Sequence, residues 1–146
     1  MTTVAEILKS KSDNSVYTIA PDATVFEAVS LMAQKNIGAL LVVERERVVG
    51  IVSERDYARK VALMARSSRD TALRDIMSSP VMFVPPSQTS EECMALMTEN
   101  RLRHLPVMED GKLIGLISIG DLVKNIISEQ QFIIEQLEHY ISGQIA

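Results

Sequence analysis

Between Thr24 and Lys35 the apolar residues Val25, Ala28, Val29 and Met32 fall at i, i+3, i+4 and i+7, the spacing of one buried helix face. Thr24-x-x-Glu27 at its start has the form of a capping box. Beyond this stretch the pattern changes. Residues 39–43 and 48–52 are short, apolar and β-branched, joined by a polar turn from Glu44 to Arg47, and so predict an antiparallel hairpin. Upstream, residues 16–19 read as an extended stretch ahead of Pro21, since proline biases the residue before it away from helix. Downstream, Ser53 opens a second helical segment reaching about Ala65. The predicted order is β-α-β-β-α.

The same order is then written again. An offset of about 65 residues superposes Thr18 to Asp56 on Phe83 to Asp121 without a gap. Pro21 falls on Pro86, Thr24 on Thr89, Glu27 on Glu92, Val42 on Val107 and Gly50 on Gly115. The second hairpin turn, Glu109-Asp110-Gly111-Lys112, holds Asp-Gly, a strong hairpin signal. A short arm with an acid at its centre precedes each copy: Val4-Ala5-Glu6-Ile7-Leu8 and Leu73-Arg74-Asp75-Ile76-Met77. The chain is therefore an internal duplication, with repeats over 1–70 and 71–146. Each repeat is too small to hide its sheet alone, which predicts that the two pack together and form two clefts.

The final helix breaks the symmetry. From Ser118 its apolar stripe runs through Leu122, Ile126, Ile133, Leu137 and Ile141, well past the length of the equivalent segment in the first copy. The excess, residues 130–141, is expected to pack on a partner chain; the alternative is that it folds back over its own sheet.

Composition narrows the classes. The 146 residues are 47% hydrophobic and 23% charged, ordinary for a soluble globular protein, and only 4% aromatic, so the core must be aliphatic with help from eight Met. A net charge of −4 argues against a nucleic-acid surface. No apolar run approaches the roughly 18 to 20 residues that span a bilayer. One cysteine, Cys93, and an N-terminus without the pattern of a secretory signal fit the cytoplasm. Two histidines and that lone cysteine give no metal-ligand spacing, so no metal is expected. Cys93 aligns with Ala28 on the buried helix stripe, and Met32, Met94 and Met97 sit at helical spacing; all four read as core.

The candidate chemistry lies at the end of each copy, in Gly50-Ile51-Val52-Ser53-Glu54-Arg55-Asp56 and Gly115-Leu116-Ile117-Ser118-Ile119-Gly120-Asp121. Gly-x-x-Ser-x-x-Asp marks a strand-to-helix junction, where unpaired N–H groups and the dipole favour an anion. The plain reading is a capping box with Asp in place of Glu. Two occurrences of the shorter acid, against ordinary Glu boxes at Thr24 and Thr89, point beyond capping to a ligand.

Together with Thr18-Ile19-Ala20-Pro21, Gly38-Ala39-Leu40-Leu41-Val42-Val43 and Arg103-His104-Leu105-Pro106-Val107, these motifs make the chain resemble a tandem pair of cystathionine β-synthase (CBS) domains, a Bateman module, over nearly its whole length. The resemblance implies an α+β fold of two pseudo-twofold-related β-α-β-β-α repeats packed through their sheets, with an extended C-terminal helix. It implies a non-catalytic, energy-sensing regulatory module that binds an adenosine nucleotide (AMP, ADP, ATP or NAD, in some members S-adenosylmethionine) and signals to a partner protein. It also implies a homodimer. Carried over residue by residue, Asp56 and Asp121 become ribose ligands and Ser53 and Ser118 their companions. Thr18, Ala20, Gly38 and Ala39 would frame the adenine in the first site, and Phe83, Pro85, Arg103, His104 and Pro106 line the second.

Chemistry agrees with part of this, since one carboxylate can accept from two ribose hydroxyls. Arg55, or Arg103 and His104, would reach the phosphates; Arg55 and Arg59 read equally well as helix-face charges. The basic stretch Arg66-Ser67-Ser68-Arg69 reads rather as a solvated linker. An enzyme is a weaker reading, because no catalytic triad, carboxylate dyad or P-loop appears. A dimeric scaffold with vestigial clefts is the alternative.

Overall fold

The computed structural model describes residues 2–143. Its contacts divide the chain into two compact units, one of residues 15–82 and one combining the N-terminal stretch through Asn14 with the chain from Phe83 onward.

In the first unit, β1 (Thr18–Ile19) lies parallel to β2 (Ala39–Glu44), which pairs antiparallel with β3 (Arg47–Ser53), giving the order β1-β2-β3. Helix α2 (Val25–Lys35) covers one face and buries Val25, Ala28 and Met32. It starts where the sequence places it, because both bonds of the Thr24/Glu27 capping box form. It stops at Asn36, whose left-handed φ of 55° ends the helix. The tight β2–β3 turn places Arg45 and Glu46 at positive φ, 51° and 65°, the requirement of a two-residue hairpin whose twist matches its strands.

The second unit repeats the plan with α4 (Ser90–Asn100), β4 (His104–Glu109) and β5 (Lys112–Ser118). Its turn uses Asp110 and Gly111 at positive φ. The registers agree down to a bulge in the same place, after Val42 in one sheet and after Val107 in the other. One strand is reduced. In the first unit the Leu41 N–H donates to Tyr17 O at 3.3 Å. Its counterpart, Pro106, has no N–H, and the second copy's extended stretch shrinks to a single bridge, Val84 to Val107.

The arms do not pack on the bodies they precede. Helix α1 (Val4–Ser10) joins the second copy: Val4 N–H donates to Gln88 O at 2.8 Å, and Ser90 N–H to Thr2 O at 2.9 Å. The 3-10 turn Leu73–Asp75 makes the matching bonds in the first copy, Leu73 N–H to Ala23 O and Val25 N–H to Thr71 O, both at 2.9 Å. Each core is completed in this way. Val4, Ile7 and Leu8 pack with Cys93, Leu105 and Ile117, and Leu73 and Ile76 pack with Met32, Leu40 and Val52. The repeats at 1–70 and 71–146 are divisions of sequence; each compact unit draws its arm from the other repeat.

The expectation of a regular helix from Ser53 to about Ala65 is corrected. Helix α3 (Glu54–Asp56) passes at once into a π-helix, Tyr57–Ala62, with Leu63 N–H donating to Ala58 O at 3.0 Å, five residues back. Its counterpart α5 (Ile119–Ser142) stays α-helical for 24 residues. The second half of α5 does not fold back over its own sheet, since Leu137 is 56% exposed and Ile141 81%.

Candidate functional site

In the first unit the bulged hairpin brings Ala39 opposite Ser53 at one end of β2 and β3. The Gly38 carbonyl accepts from Glu54 N–H at 3.1 Å, fixing the strand's entry beside the helix start. Thr18 lies on β1 beside Leu41, two residues further along β2, and Ala20 follows β1. The Ser-x-x-Asp phrase closes as a full capping box. Ser53 N–H donates to Asp56 Oδ2 at 2.9 Å, and Asp56 N–H to Ser53 Oγ at 3.3 Å. The other carboxylate oxygen, Oδ1, pairs with Lys60 at 3.1 Å.

The second unit reproduces this geometry. His104 stands opposite Ser118, and the Arg103 carbonyl accepts from Ile119 N–H at 2.8 Å. Ser118 N–H donates to Asp121 Oδ2 at 2.8 Å and Asp121 N–H to Ser118 Oγ at 3.1 Å. Lys11 pairs with Asp121 Oδ2 at 3.0 Å. Phe83 is exposed just before the Val84 bridge, and Pro85 just after it. Pro106 is buried, and its carbonyl accepts from Val84 N–H at 3.0 Å.

The capping reading of both motifs is therefore realised, and each aspartate also holds a lysine. Asp56 and Asp121 are carboxylates fixed by backbone, with an oxygen directed to a cation. His104 lies near Asp121, Lys11 and Arg103; burial, the largest influence, lowers its pKa below the usual value, Asp121 opposes that shift, and Lys11 and Arg103 add to it. Its imidazole is neutral at pH 7, so it offers hydrogen bonds rather than a positive charge.

Sequence reasoning missed three participants, Lys11, Met77 and Leu8. Lys11 caps the end of helix α1 and carries no motif of its own. Met77 and Leu8 explain the motif glycines: a Cβ on Gly50 would lie 2.5 Å from Met77 Sδ, and one on Gly115 would lie 2.7 Å from Leu8 Cδ2. The glycine of each motif makes room for a side chain of the arm packed on it. Other candidates resolve plainly. Arg69 stacks over the Phe26 ring at 4.0 Å. Cys93 is fully buried and its thiol is pushed up to about 11, mainly by burial and then by Glu92, as suits a core residue. No helix among the described residues is long and apolar enough to cross a membrane.

Two β-α-β-β-α bodies, each closed by a Ser-Asp cap and an arm from the other repeat, define a duplicated α+β module. The family model for the CBS domain matches twice, over residues 4–63 and 73–128, and the chain belongs to the CBS-domain family. It is 41% identical over 97% of its length to the mitochondrial CBS domain-containing protein CBSX3 of Arabidopsis thaliana, covering 73% of that protein. Among solved structures it is similar to a CBS-domain protein from Burkholderia ambifaria MC40-6, with 59% identity, a TM-score of 0.85, and coverage of 88% of this chain and 96% of that one. It is also similar to a hexameric CBS-CP12 protein from bloom-forming cyanobacteria, at 32% identity and a TM-score of 0.76, covering 84% of this chain and 70% of that one.

Proposed function

We propose that this CBS pair is a non-catalytic regulatory module that binds an adenosine nucleotide (AMP, ADP, ATP or NAD) through its motif aspartates and passes the signal to a partner protein. The observation that carries the reading is the pair of fixed carboxylates, Asp56 and Asp121, each at the same end of a hairpin and each held by a Ser N–H and a lysine. A ribose diol would take the place of the lysine, and the released ammonium would serve a phosphate. Gly38 and Ala39 offer main chain to an adenine in the first unit, with Thr18 and Ala20 nearby. Phe83, Pro85, Arg103 and His104 are the corresponding set in the second, and Arg55 is a phosphate candidate. The cytoplasm is the proposed compartment.

Isothermal titration with AMP, ADP, ATP, NAD and S-adenosylmethionine tests this reading on wild type, Asp56→Asn and Asp121→Asn. Asparagine keeps an oxygen for the helix cap and removes the charge. Loss of binding by at least tenfold in one variant, with Arg69→Ala unchanged, supports the assignment; equal effects of all three would sink it.

A second reading, an assembly scaffold, is favoured by one feature. Along α5, Val123, Ile126, Ile127, Ile133, Ile134 and Leu137 form an exposed apolar seam at the spacing of a helix–helix contact. A homodimer through this seam is compatible with nucleotide sensing, and sedimentation analysis of Ile134→Glu, expected to be monomeric, separates it from a monomeric sensor.

A further inference from the structure

Two exposed apolar surfaces lie in different units and carry opposite charge. The first is the end of α5, where every residue of 130–143 is exposed, so no face of this part of the helix is buried against its own chain. A helix of that length is marginal in water when it stands alone, since about 12 to 15 residues are needed even in favourable sequences. Its apolar face includes Ile133, Ile134, Leu137 and Ile141. Glu138 borders that face four residues after Ile134, with Glu135 one turn before it on the same side. Residues 125–142 hold three Glu and no Lys or Arg; the third, Glu129, accepts from the Thr2 hydroxyl.

The first unit holds the counterpart, just past its π-helix. Leu63 is 79% exposed and Met64 63%. Arg59 stands four and five residues before them, one π-helical turn away, and Arg66 follows two residues after Met64; both arginines are exposed. From Tyr57 to Arg69 the sequence has four cations and no acid. Lys60 is engaged by Asp56, and Arg69 lies over the Phe26 ring. Among the described residues no ion pair takes Arg59, Arg66, Glu135 or Glu138. One chain thus carries a basic apolar patch and an acidic apolar helix, each open.

We propose that the end of α5 in one copy docks on segment 59–69 of a second copy, helix against patch. Leu63 and Met64 pack on Ile134, Leu137 and Ile141, and Arg59 and Arg66 meet Glu135 and Glu138. The proposal rests on the homodimer reading above and names what the helix meets in the partner. A pairing of two α5 seams with each other would set the acids of one helix beside those of the other, with no Lys or Arg over 125–142 to offset them. The exchanged contact removes that repulsion and uses both open surfaces. A twofold pair makes it twice, each copy giving one helix and covering one.

The test is sedimentation equilibrium of the full chain with charges reversed on one surface at a time. Arg59→Glu with Arg66→Glu makes both surfaces acidic, and Glu135→Lys with Glu138→Lys makes both basic. Each double variant alone should dimerise at least tenfold more weakly than wild type, because like charges then face each other at both contacts. Mixed in equal amounts, the two should form a heterodimer of near wild-type strength, since every surface again meets its opposite; that recovery also shows that both variants fold. Lys112→Glu, on the exposed start of β5, should change nothing. If the arginine variant dimerises like wild type while Ile134→Glu is monomeric, the seams pair with each other: the docking is overturned and the homodimer reading stands. A mixture no stronger than its components also overturns the docking. A monomeric wild type overturns the docking and the homodimer reading together.

Discussion

Both motif helices begin with the same Ser-Asp cap on the same bulged hairpin, and then they diverge. After Asp56 the helix widens into a π-helix that carries Val61 into the core, where it is 1% exposed. After Asp121 the α-helix continues, and the equivalent Ile126 is 37% exposed. The cation on each aspartate follows suit: it comes from the motif helix itself in one unit, Lys60, and from the end of the arm in the other, Lys11. The junction is thus set by hydrogen bonds within seven residues, while everything beyond it is free to vary. One copy uses its helix to close its own core, and the other extends an apolar face outward.

The exchange of arms gives the sharpest way to test this comparison. Ile7 and Ile76 occupy equivalent places, 2% and 1% exposed, but in opposite units. Ile76→Ala should destabilise by about 2–5 kcal/mol, the range for a buried Ile cut to Ala, and hydrogen exchange should rise first in residues 15–82. Ile7→Ala should have a similar cost, with exchange rising first from Phe83 onward. Exchange appearing first in the repeat that the substituted arm precedes would break the assignment.

A smaller effect is expected from the motif glycines. Gly50→Ala and Gly115→Ala should each cost about 1–3 kcal/mol by crowding a side chain of the neighbouring arm, read as a lower urea midpoint at unchanged slope. Leu8→Ala should relieve Gly115→Ala and leave Gly50→Ala untouched; Met77→Ala should do the reverse.

The smallest effect concerns pH. Because the folded pKa of His104 lies below its ordinary value of 6.5, the unfolded chain binds more protons as pH falls through that value. Stability contributed by the neutral imidazole is therefore present above about pH 6.5 and declines below it. His104→Gln should flatten that part of the stability profile, and no residue of the first unit should do so.

Much of this was legible because it is local. The capping boxes at Thr24, Thr89, Ser53 and Ser118 each span four residues, and the hairpins and the buried stripe of α2 follow from spacing alone. The reduced first strand of the second copy was not expected, although its cause is local: Pro106 has no N–H to give. The partners of the two arms were not legible. Val4-Ala5-Glu6-Ile7-Leu8 has the same pattern as its counterpart, and apolar spacing names a face without naming what covers it. The reason for Gly50 and Gly115 was hidden with it, since Met77 and Leu8 reach them only through that exchange. Nothing in Tyr57-Ala58-Arg59-Lys60-Val61-Ala62 announces a π-turn; the demand for it comes from packing Val61.

The exchange has a consequence for how such a chain can be divided. A half-chain cut at 70/71 carries an arm that its own body does not use and a body with no arm to cover it, so Gly50 or Gly115 would face a hole in place of Met77 or Leu8. Two separate half-chains could complete their cores only by trading first segments. A single gene copy would therefore make an obligate swapped pair, and joining two copies end to end turns that pairing into an intramolecular one.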